Sequence, residues 1–431
     1  DKRKARKNNG AKRDMHYEME QEEHDVYPDD PDFDINKARL VTTAPRICVR
    51  YECVPMRFIK HVYKIHTYAQ DGRLFEGKTP VSAFLNSSYD GSFIAGLMEL
   101  RYIQSLPVER IINYFESHGF TLKKPTAHKL MEKASSLFEN LYKCIRQTAL
   151  GDPYKAADET YYKILVPEKN SKGKGVRKGY LWVVVGINTR MIYLLYDDGS
   201  RSEKVILNEL GGCKGIIQSD GYSPYRKLES DAYPHITRIP CLQHIKRKFI
   251  DCGEDEPDAK RIVEMINTLY QNEHKHKIGV DGWTVEQNLV HRKKYAPDIL
   301  GEIKDVLDDI EERGDLLPKS ELKEAVTYLR NEWNAVVDIF NYGDTYLDNN
   351  IVERMNRYIS LSRKNSLFFG SHKGAERGAI LYTIALTCRM NKVNLFEYLT
   401  DVINRTAEWE PNTPLEKYRQ LLPDRWEKAN D

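Results

Sequence analysis

The chain has 431 residues, 66 Lys plus Arg against 64 Asp plus Glu for a net charge of +2, and is 41% hydrophobic and 10% aromatic. At roughly 100–200 residues per domain this length accommodates two to four domains, and the apolar content excludes a disordered or fibrous chain. No apolar run approaches the roughly 18–20 residues that span a bilayer, and the seven scattered cysteines form no Cys-x-x-Cys, which excludes a membrane protein and a secreted disulfide scaffold and points to reduced, cytosolic thiols.

Residues 1–37 read as a flexible charged tail, a basic run (Lys2, Arg3, Lys4) passing into an acidic one (Glu18, Glu20, Asp29, Asp34) with few apolar anchors. The basic start has no apolar stretch behind it, so no secretory signal is expected, and Asp1 in place of Met suggests a fragment of a longer chain. Residues 38–91 carry β-branched and aromatic runs at 46–54 and 58–66, split by Pro55 and closed by Asp71-Gly72. They predict a small β-ribbon module.

Helical periodicity sets in at Ser92, and residues 92–150 read as a helical domain. Phe93, Leu97, Leu100 and Ile103 mark one helix; Pro107 opens a second through Val108, Ile111 and Phe115, stopped at Gly119. Pro125 opens a third through Leu130, Leu137, Leu141 and Ile145. The glycine turn between helices suggests a helix-turn-helix, with Lys123, Lys124, Thr126, His128 and Lys129 as candidate DNA contacts; an ordinary helical hairpin is the alternative.

Residues 151–257 change to strands at Thr160–Val166, Tyr180–Ile187, Met191–Tyr196, Gly215–Asp220 and Thr237–Cys241. The short turn at 188–190 makes the second and third an antiparallel hairpin, and the β–α–β segments after it imply a mixed sheet with helices. Residues 258–342 show no convincing strand and read as an all-helical insertion; 343–405 return to helices at 350–360 and 375–391 that close the sheet domain, and 406–431 form a C-terminal tail. The glycine- and lysine-rich stretch at 169–179 lacks the Gly-Lys-Ser/Thr ending of a phosphate loop and joins two strands. It reads as a mobile basic hairpin loop presenting Lys172, Lys174, Arg177 and Lys178 to DNA.

Three carboxylates stand out. Asp is depleted in strands, yet Asp158 opens the first strand of this domain and Asp220 ends the fourth, before Gly221. Glu353 lies near the start of a helix announced by Asp348-Asn349-Asn350. If they converge, their oxygens suit Mg²⁺ or Mn²⁺. Ordinary alternatives exist: a strand boundary for Asp158, an Asp-Gly turn for Asp220, and for Glu353 a capping box with Asn350 or an i,i+4 ion pair with Arg357.

The segments Ala157-Asp-Glu-Thr, Gln218-Ser-Asp-Gly-Tyr-Ser-Pro-Tyr and Cys241-Leu-Gln-His-Ile-Lys-Arg-Lys-Phe resemble transposases of the insertion sequence 66 family. So do Asp348-Asn-Asn-Ile-Val-Glu-Arg, Ser362-Arg-Lys-Asn-Ser-Leu-Phe-Phe-Gly-Ser and the later Leu395-Phe-Glu-Tyr-Leu, in the same order. The resemblance implies a ribonuclease-H-like core, a five-stranded mixed sheet with helices, split by the helical insertion into 151–257 and 343–405. It implies a DDE triad at Asp158, Asp220 and Glu353 holding two Mg²⁺ or Mn²⁺ ions. His244, in a Cys-x-x-His pattern, reads as a supporting residue rather than a ligand, as do Asn350, Arg354 and Arg357. Glu159 is expected on the opposite sheet face, outside the triad. Relatives carry a Cys-x-x-Cys zinc module upstream; this chain has only Cys48 and Cys53 there, so the β-ribbon is expected to be zinc-finger-like without zinc.

Arg363, Lys364 and Asn365, with Arg354 and Arg357, are further candidate DNA contacts of the phosphate-binding kind. The implied activity is transposition, with terminal inverted repeats and target DNA as partners, a homodimer or higher assembly, no membrane, and a cytoplasmic, nucleoid-associated location in a bacterium. A catalytically silent DNA-binding protein and a metal-dependent nuclease on the same core are the competing readings.

Overall fold

The computed structural model describes residues 56–61, 67–70, 73–76, 82–84, 87–169, 173, 175–314, 316–410 and 412–428. The charged tail, Cys48 and Cys53, most of the β-ribbon and the loop lysines Lys172 and Lys174 lie outside them. From the ribbon segment, β1 (Thr67–Gln70) and β2 (Arg73–Glu76) pair antiparallel.

Helix α1 (Gly91–Met98) starts at Asp90, whose carboxylate accepts the Phe93 N–H, and runs into a π-helical turn at Glu99–Ile103. Helices α2 (Val108–Ser117) and α3 (Lys124–Leu137) follow, with Gly119 at φ 82° after the first of them. The single third helix expected from the spacing is two: α3 ends at Phe138 and α4 (Glu139–Gly151) begins there. Phe138 is buried and leaves the helical region at φ −91°, ψ 3°. The change of direction turns α4 onto the sheet, where the Tyr142 hydroxyl donates to the Leu194 carbonyl and Arg146 pairs with Glu209.

The sheet holds β3 (Tyr154–Leu165), β4 (Val176–Gly186), β5 (Met191–Leu195), β6 (Gly215–Ser219) and β7 (Ile236–Pro240) in the order β5-β4-β3-β6-β7. The β3–β4 and β4–β5 pairs are antiparallel, and β3–β6 and β6–β7 are parallel. Strand β3 starts six residues before the predicted one. Its first third, Tyr154 to Ala157, is fully buried and includes two alanines, poor strand formers by composition that fit a tightly covered position in the middle of the sheet. Asp158 therefore sits inside β3 rather than opening it.

Between β5 and β6 lies α5 (Glu203–Leu210); after β6 come a short turn of helix, α6 (Ser223–Arg226), then β7 and α7 (Leu242–Asp251). Three helices follow between Pro257 and Ile339: α8 (Pro257–Glu273), α9 (Val285–Arg313) and α10 (Glu321–Ile339). Local signals fix their ends. Thr284 and Gln287 form a capping box, Ser320 caps α10, and Gly314 closes α9 in the left-handed region at φ 66°. Ile262, Leu269, Ile303, Leu307, Val326 and Leu329 share one buried cluster with Ile239 of β7 and Ile245 and Phe249 of α7. Each such side chain contributes about 1.5–3 kcal/mol by leaving water, so these helices are anchored to the sheet's β7 side.

The chain returns through α11 (Asn350–Asn365), α12 (His372–Met390), α13 (Leu395–Ala407) and α14 (Leu415–Arg419). Helix α12 covers edge strand β5: Thr387 and Thr383 hydroxyls accept the Ile192 and Leu194 N–H groups at 3.2 and 3.0 Å. Those N–H groups face away from β4 and find partners that a bare edge lacks.

A buried polar chain ties the middle of the sheet to the segment before α11. The Tyr154 hydroxyl donates to Gln218 Oε1 at 2.6 Å and accepts the Tyr346 N–H at 2.9 Å, while Gln218 Nε2 donates to the Tyr346 carbonyl at 2.8 Å. Tyr154→Phe leaves an acceptor and a donor buried without partners, so we expect a loss of about 2–3 kcal/mol in urea unfolding. A cost below about 0.5 kcal/mol would show that the chain does not hold this junction.

Candidate active site

In the parallel β3–β6 register Ala156 lies opposite Gln218. Asp158 and Asp220 each follow two residues later, which brings both to the same sheet face at one level. Burial, then the charges of Glu159 and Asp220, push the Asp158 carboxyl up to about 8. Its oxygens are held nonetheless: Oδ1 accepts the Glu159 N–H at 2.8 Å and Oδ2 accepts Asn356 Nδ2 at 2.8 Å. Asp220 Oδ1 accepts the Tyr222 N–H at 3.0 Å, the turn role named as its ordinary alternative, which leaves the second oxygen for other work.

Helix α11 supplies both Asn356 and, one turn earlier on the same face, Glu353. Its N-cap is Asn349 rather than Asn350, and the cap side chain does not close on the helix. Instead Asn349 Nδ2 donates to the Ala157 carbonyl at 3.0 Å and its backbone N–H to Cys241 Sγ at 3.2 Å, pinning the helix start to β3 and to α7. Glu353 makes neither the capping box nor the Arg357 pair of the ordinary alternatives. Its carboxylate faces His244, Oε1 to Nε2 at 3.9 Å, and Oε1 is buried without a hydrogen-bond partner. His244 in turn shares with Asp220 a cleft of about 270 Å³, lined also by Arg201, Tyr222, Arg247, Lys248 and Tyr328.

The structure thus brings Asp158 and Asp220 into one electrostatic environment, while Glu353 groups with Cys241 and His244 and is tied to Asp158 only through Asn356 on its own helix. Glu159 is occupied elsewhere: Arg201 Nε donates to it at 3.0 Å and the Tyr225 hydroxyl at 3.3 Å. Among the cations, Arg354, Arg357, Lys364, Arg177 and Lys178 are exposed, as are Lys123, just before α3, and His128 and Lys129 on it; Thr126 is half-buried. Lys124, also exposed, pairs with Glu109 at 2.6 Å. Lys178 lies over the Tyr161 ring. Arg363 is not a free phosphate contact; its guanidinium stacks on Tyr161 at 4.0 Å and donates to Thr160 Oγ1 at 3.3 Å, binding α11 to β3. Asn365 likewise serves the fold, donating to the Ser105 carbonyl at 3.1 Å.

Three contributors escaped the sequence reading. Asn356 carries no motif signal beyond its i,i+3 spacing from Glu353. Arg247 and Lys248 lie within the Cys241–Phe249 motif but gain meaning only once α7 is seen to line the cleft.

The family model described as "Transposase IS66 family" matches residues 86–377. Three proteins of Sinorhizobium fredii, titled uncharacterized proteins y4jD, y4hP and y4qI, are 25%, 24% and 26% identical to the chain over 77%, 92% and 85% of its length. The aligned regions span 65%, 76% and 69% of those proteins, so the chain spans less than two thirds of the length of the first of them.

Proposed function

Because the chain belongs to the IS66 transposase family, we propose that it cuts DNA at the ends of an insertion element and joins the freed 3′-hydroxyl to target DNA, with Asp158, Asp220 and Glu353 as its DDE triad. The family supports reading it as an enzyme that cuts and joins DNA; the activity, the triad and the two-ion mechanism are our reading. The sheet order with antiparallel β4, followed by a helix carrying Glu353, supports a ribonuclease-H-like core, and helices α8–α10 fit the place of an insertion within it.

The observation that carries the reading is the pair Asp158 and Asp220 at one level of the sheet, where burial, then the charges of Glu159 and Asp220, raise the Asp158 carboxyl to about 8. Glu353 adds a buried carboxylate oxygen with no partner. By donor type Asp158 and Asp220 suit Mg²⁺ or Mn²⁺, and our reading has Glu353 drawn in from its place beside His244 to complete the set. Divalent ions supply activation of the attacking oxygen and stabilisation of the leaving one when bound. The chain's own part is positional. Asn356 orients the Asp158 carboxylate, the Tyr222 N–H orients Asp220, and Arg247 and Lys248 on the cleft wall attract backbone phosphates without reading sequence. No side chain is required as nucleophile. We assign end recognition to the α2–α3 pair and the β-ribbon, and joint action on two ends to a dimer or larger assembly. No helix among the described residues is long and apolar enough to cross a membrane.

Incubation with element-end DNA, target plasmid and Mg²⁺ tests the proposal. Wild type should give joined product and Asp220→Ala neither cleavage nor joining. Cleavage without joining would make the protein a nuclease, DNA retention with neither product a binding protein, and equal turnover by both proteins would remove Asp220 from the site.

A further inference from the structure

Helices α7 and α11 begin against each other, and three different donors meet there. Cys241 is the N-cap of α7, so the Cys-x-x-His spacing places His244 one turn later, above the sulfur. Glu353 enters from the first turn of α11. One ligand atom from each of the three lies within 4.8 Å of the other two. The Asn349 N–H already donates to Cys241 Sγ at 3.2 Å, the outer-shell contact that steadies a thiolate ligand. The Asn349, His244 and Gln243 N–H groups act on the sulfur from the two helix starts, but burial outweighs them and holds the thiol protonated until a cation displaces its proton. Two polar atoms of the cluster, His244 Nδ1 and Glu353 Oε1, are buried without hydrogen-bond partners, which is costly unless something else engages them.

We infer that Cys241, His244 and Glu353 form a second, softer cation site selective for Zn²⁺ over Mg²⁺. Sulfur, imidazole and carboxylate are a borderline-soft donor set, suited to tetrahedral zinc at bond lengths of about 2.0–2.3 Å and ill-suited to a hard cation that prefers oxygen alone. Closing the three donors onto one ion requires movements of about 1 Å, within reach of rotamer adjustment, and the cation replaces the thiol proton, which leaves to solvent. Cys241 is buried while His244 and Glu353 are 27% and 26% exposed, so the ion enters from the cleft and keeps a fourth position open there. The consequence rests on the proposed triad: zinc held here engages Glu353 and takes it from the oxygen-donor set, so zinc inhibits strand cleavage.

Co²⁺ titration of the metal-free full chain reads the site directly. Wild type should show a near-ultraviolet thiolate-to-cobalt charge-transfer band and intense visible bands of tetrahedral Co²⁺, both erased by added Zn²⁺. Cys241→Ser should lose the charge-transfer band. His244→Ala and the half-exposed Glu353→Gln should each weaken Zn²⁺ binding by more than ~10-fold, with thermal melts confirming that each variant folds. Weak octahedral spectra from wild type overturn the site, as does a charge-transfer band that persists in Cys241→Ser, or Zn²⁺ affinity unchanged in all three variants. Asp158→Asn keeps all three donors and should keep the band. A missing band alongside an inactive Asp158→Asn refutes the zinc site alone, whereas a normal band alongside an active Asp158→Asn refutes the triad alone.

Discussion

Asp158→Asn is expected to lower strand cleavage by on the order of 10³-fold or more while making the metal-free protein harder to melt. The replacement fits the existing contacts. Its carbonyl oxygen can accept the Glu159 N–H, and its new amide faces Asn356, whose Oδ1 is buried without a partner and becomes an acceptor on a simple flip of that amide. The stability gain follows from the sign of the Asp158 shift. With a native value of about 8 against about 3.9 in an unfolded chain, the native state holds a proton that the unfolded state releases. There is no penalty below pH 4; it grows as pH rises and is complete above pH 8. Its ceiling is about 5.6 kcal/mol, and a cleft open to water should reduce it to about 1–3 kcal/mol. The variant should therefore exceed wild type by a few degrees in Tm at pH 8 in chelator, with the gap closing toward pH 5. Cleavage within tenfold of wild type would remove Asp158 from the triad, and a gap independent of pH would contradict the charged environment assigned to it.

The second large effect lies at the junction with the helical segment 257–339. Arg238 of β7 is buried and donates to Ser219 Oγ at 3.0 Å, the Asp220 carbonyl at 2.6 Å and Glu229 at 2.6 Å. Glu332 of α10, also fully buried, lies 2.6 Å from the same guanidinium, although neither of its oxygens makes a well-aligned hydrogen bond. One helical turn away, Tyr328 accepts the Gly221 N–H at 2.8 Å. Helix α10 thus grips the turn that carries Asp220 from two points. Glu332→Ala leaves the buried cation short of its counter-charge and should cost about 3–5 kcal/mol in urea unfolding. Arg238→Met combined with Glu332→Leu should recover most of that stability, because no buried charge is left behind. It should not recover cleavage, because the Asp220 carbonyl loses its donor; affinity for end DNA should stay near wild type. Full activity in the stable double variant would show that α10 braces the fold without positioning Asp220.

Much of this architecture was legible in the sequence because it rests on local chemistry. The β4–β5 hairpin announces itself through two apolar β-branched and aromatic runs about a short turn, and the run from 257 to 339 through the want of any strand pattern. What escaped depends on partners distant in the chain. Ala156 and Ala157 look unlike strand residues until the covering layers are known, which hides the start of β3 and sets Asp158 at its apparent edge. The third helix looked continuous because Phe138 fits a helical apolar face as well as it fits a break. Arg363 and Asn365 read as surface DNA contacts because nothing nearby in sequence reveals the carbonyls they bind. The Cys241–His244 spacing was visible, but its third donor is on another helix.

Helix α11 carries Glu353 and Asn356 on adjoining turns, with Asn349 fastening one end and Arg363 the other. A helix advances about 1.5 Å and turns about 100° per residue, so slippage by a single position would swing the carboxylate and the amide out of register together. It therefore behaves as a latch with two bolts, and drawing either bolt should disarm the enzyme outright rather than by degrees.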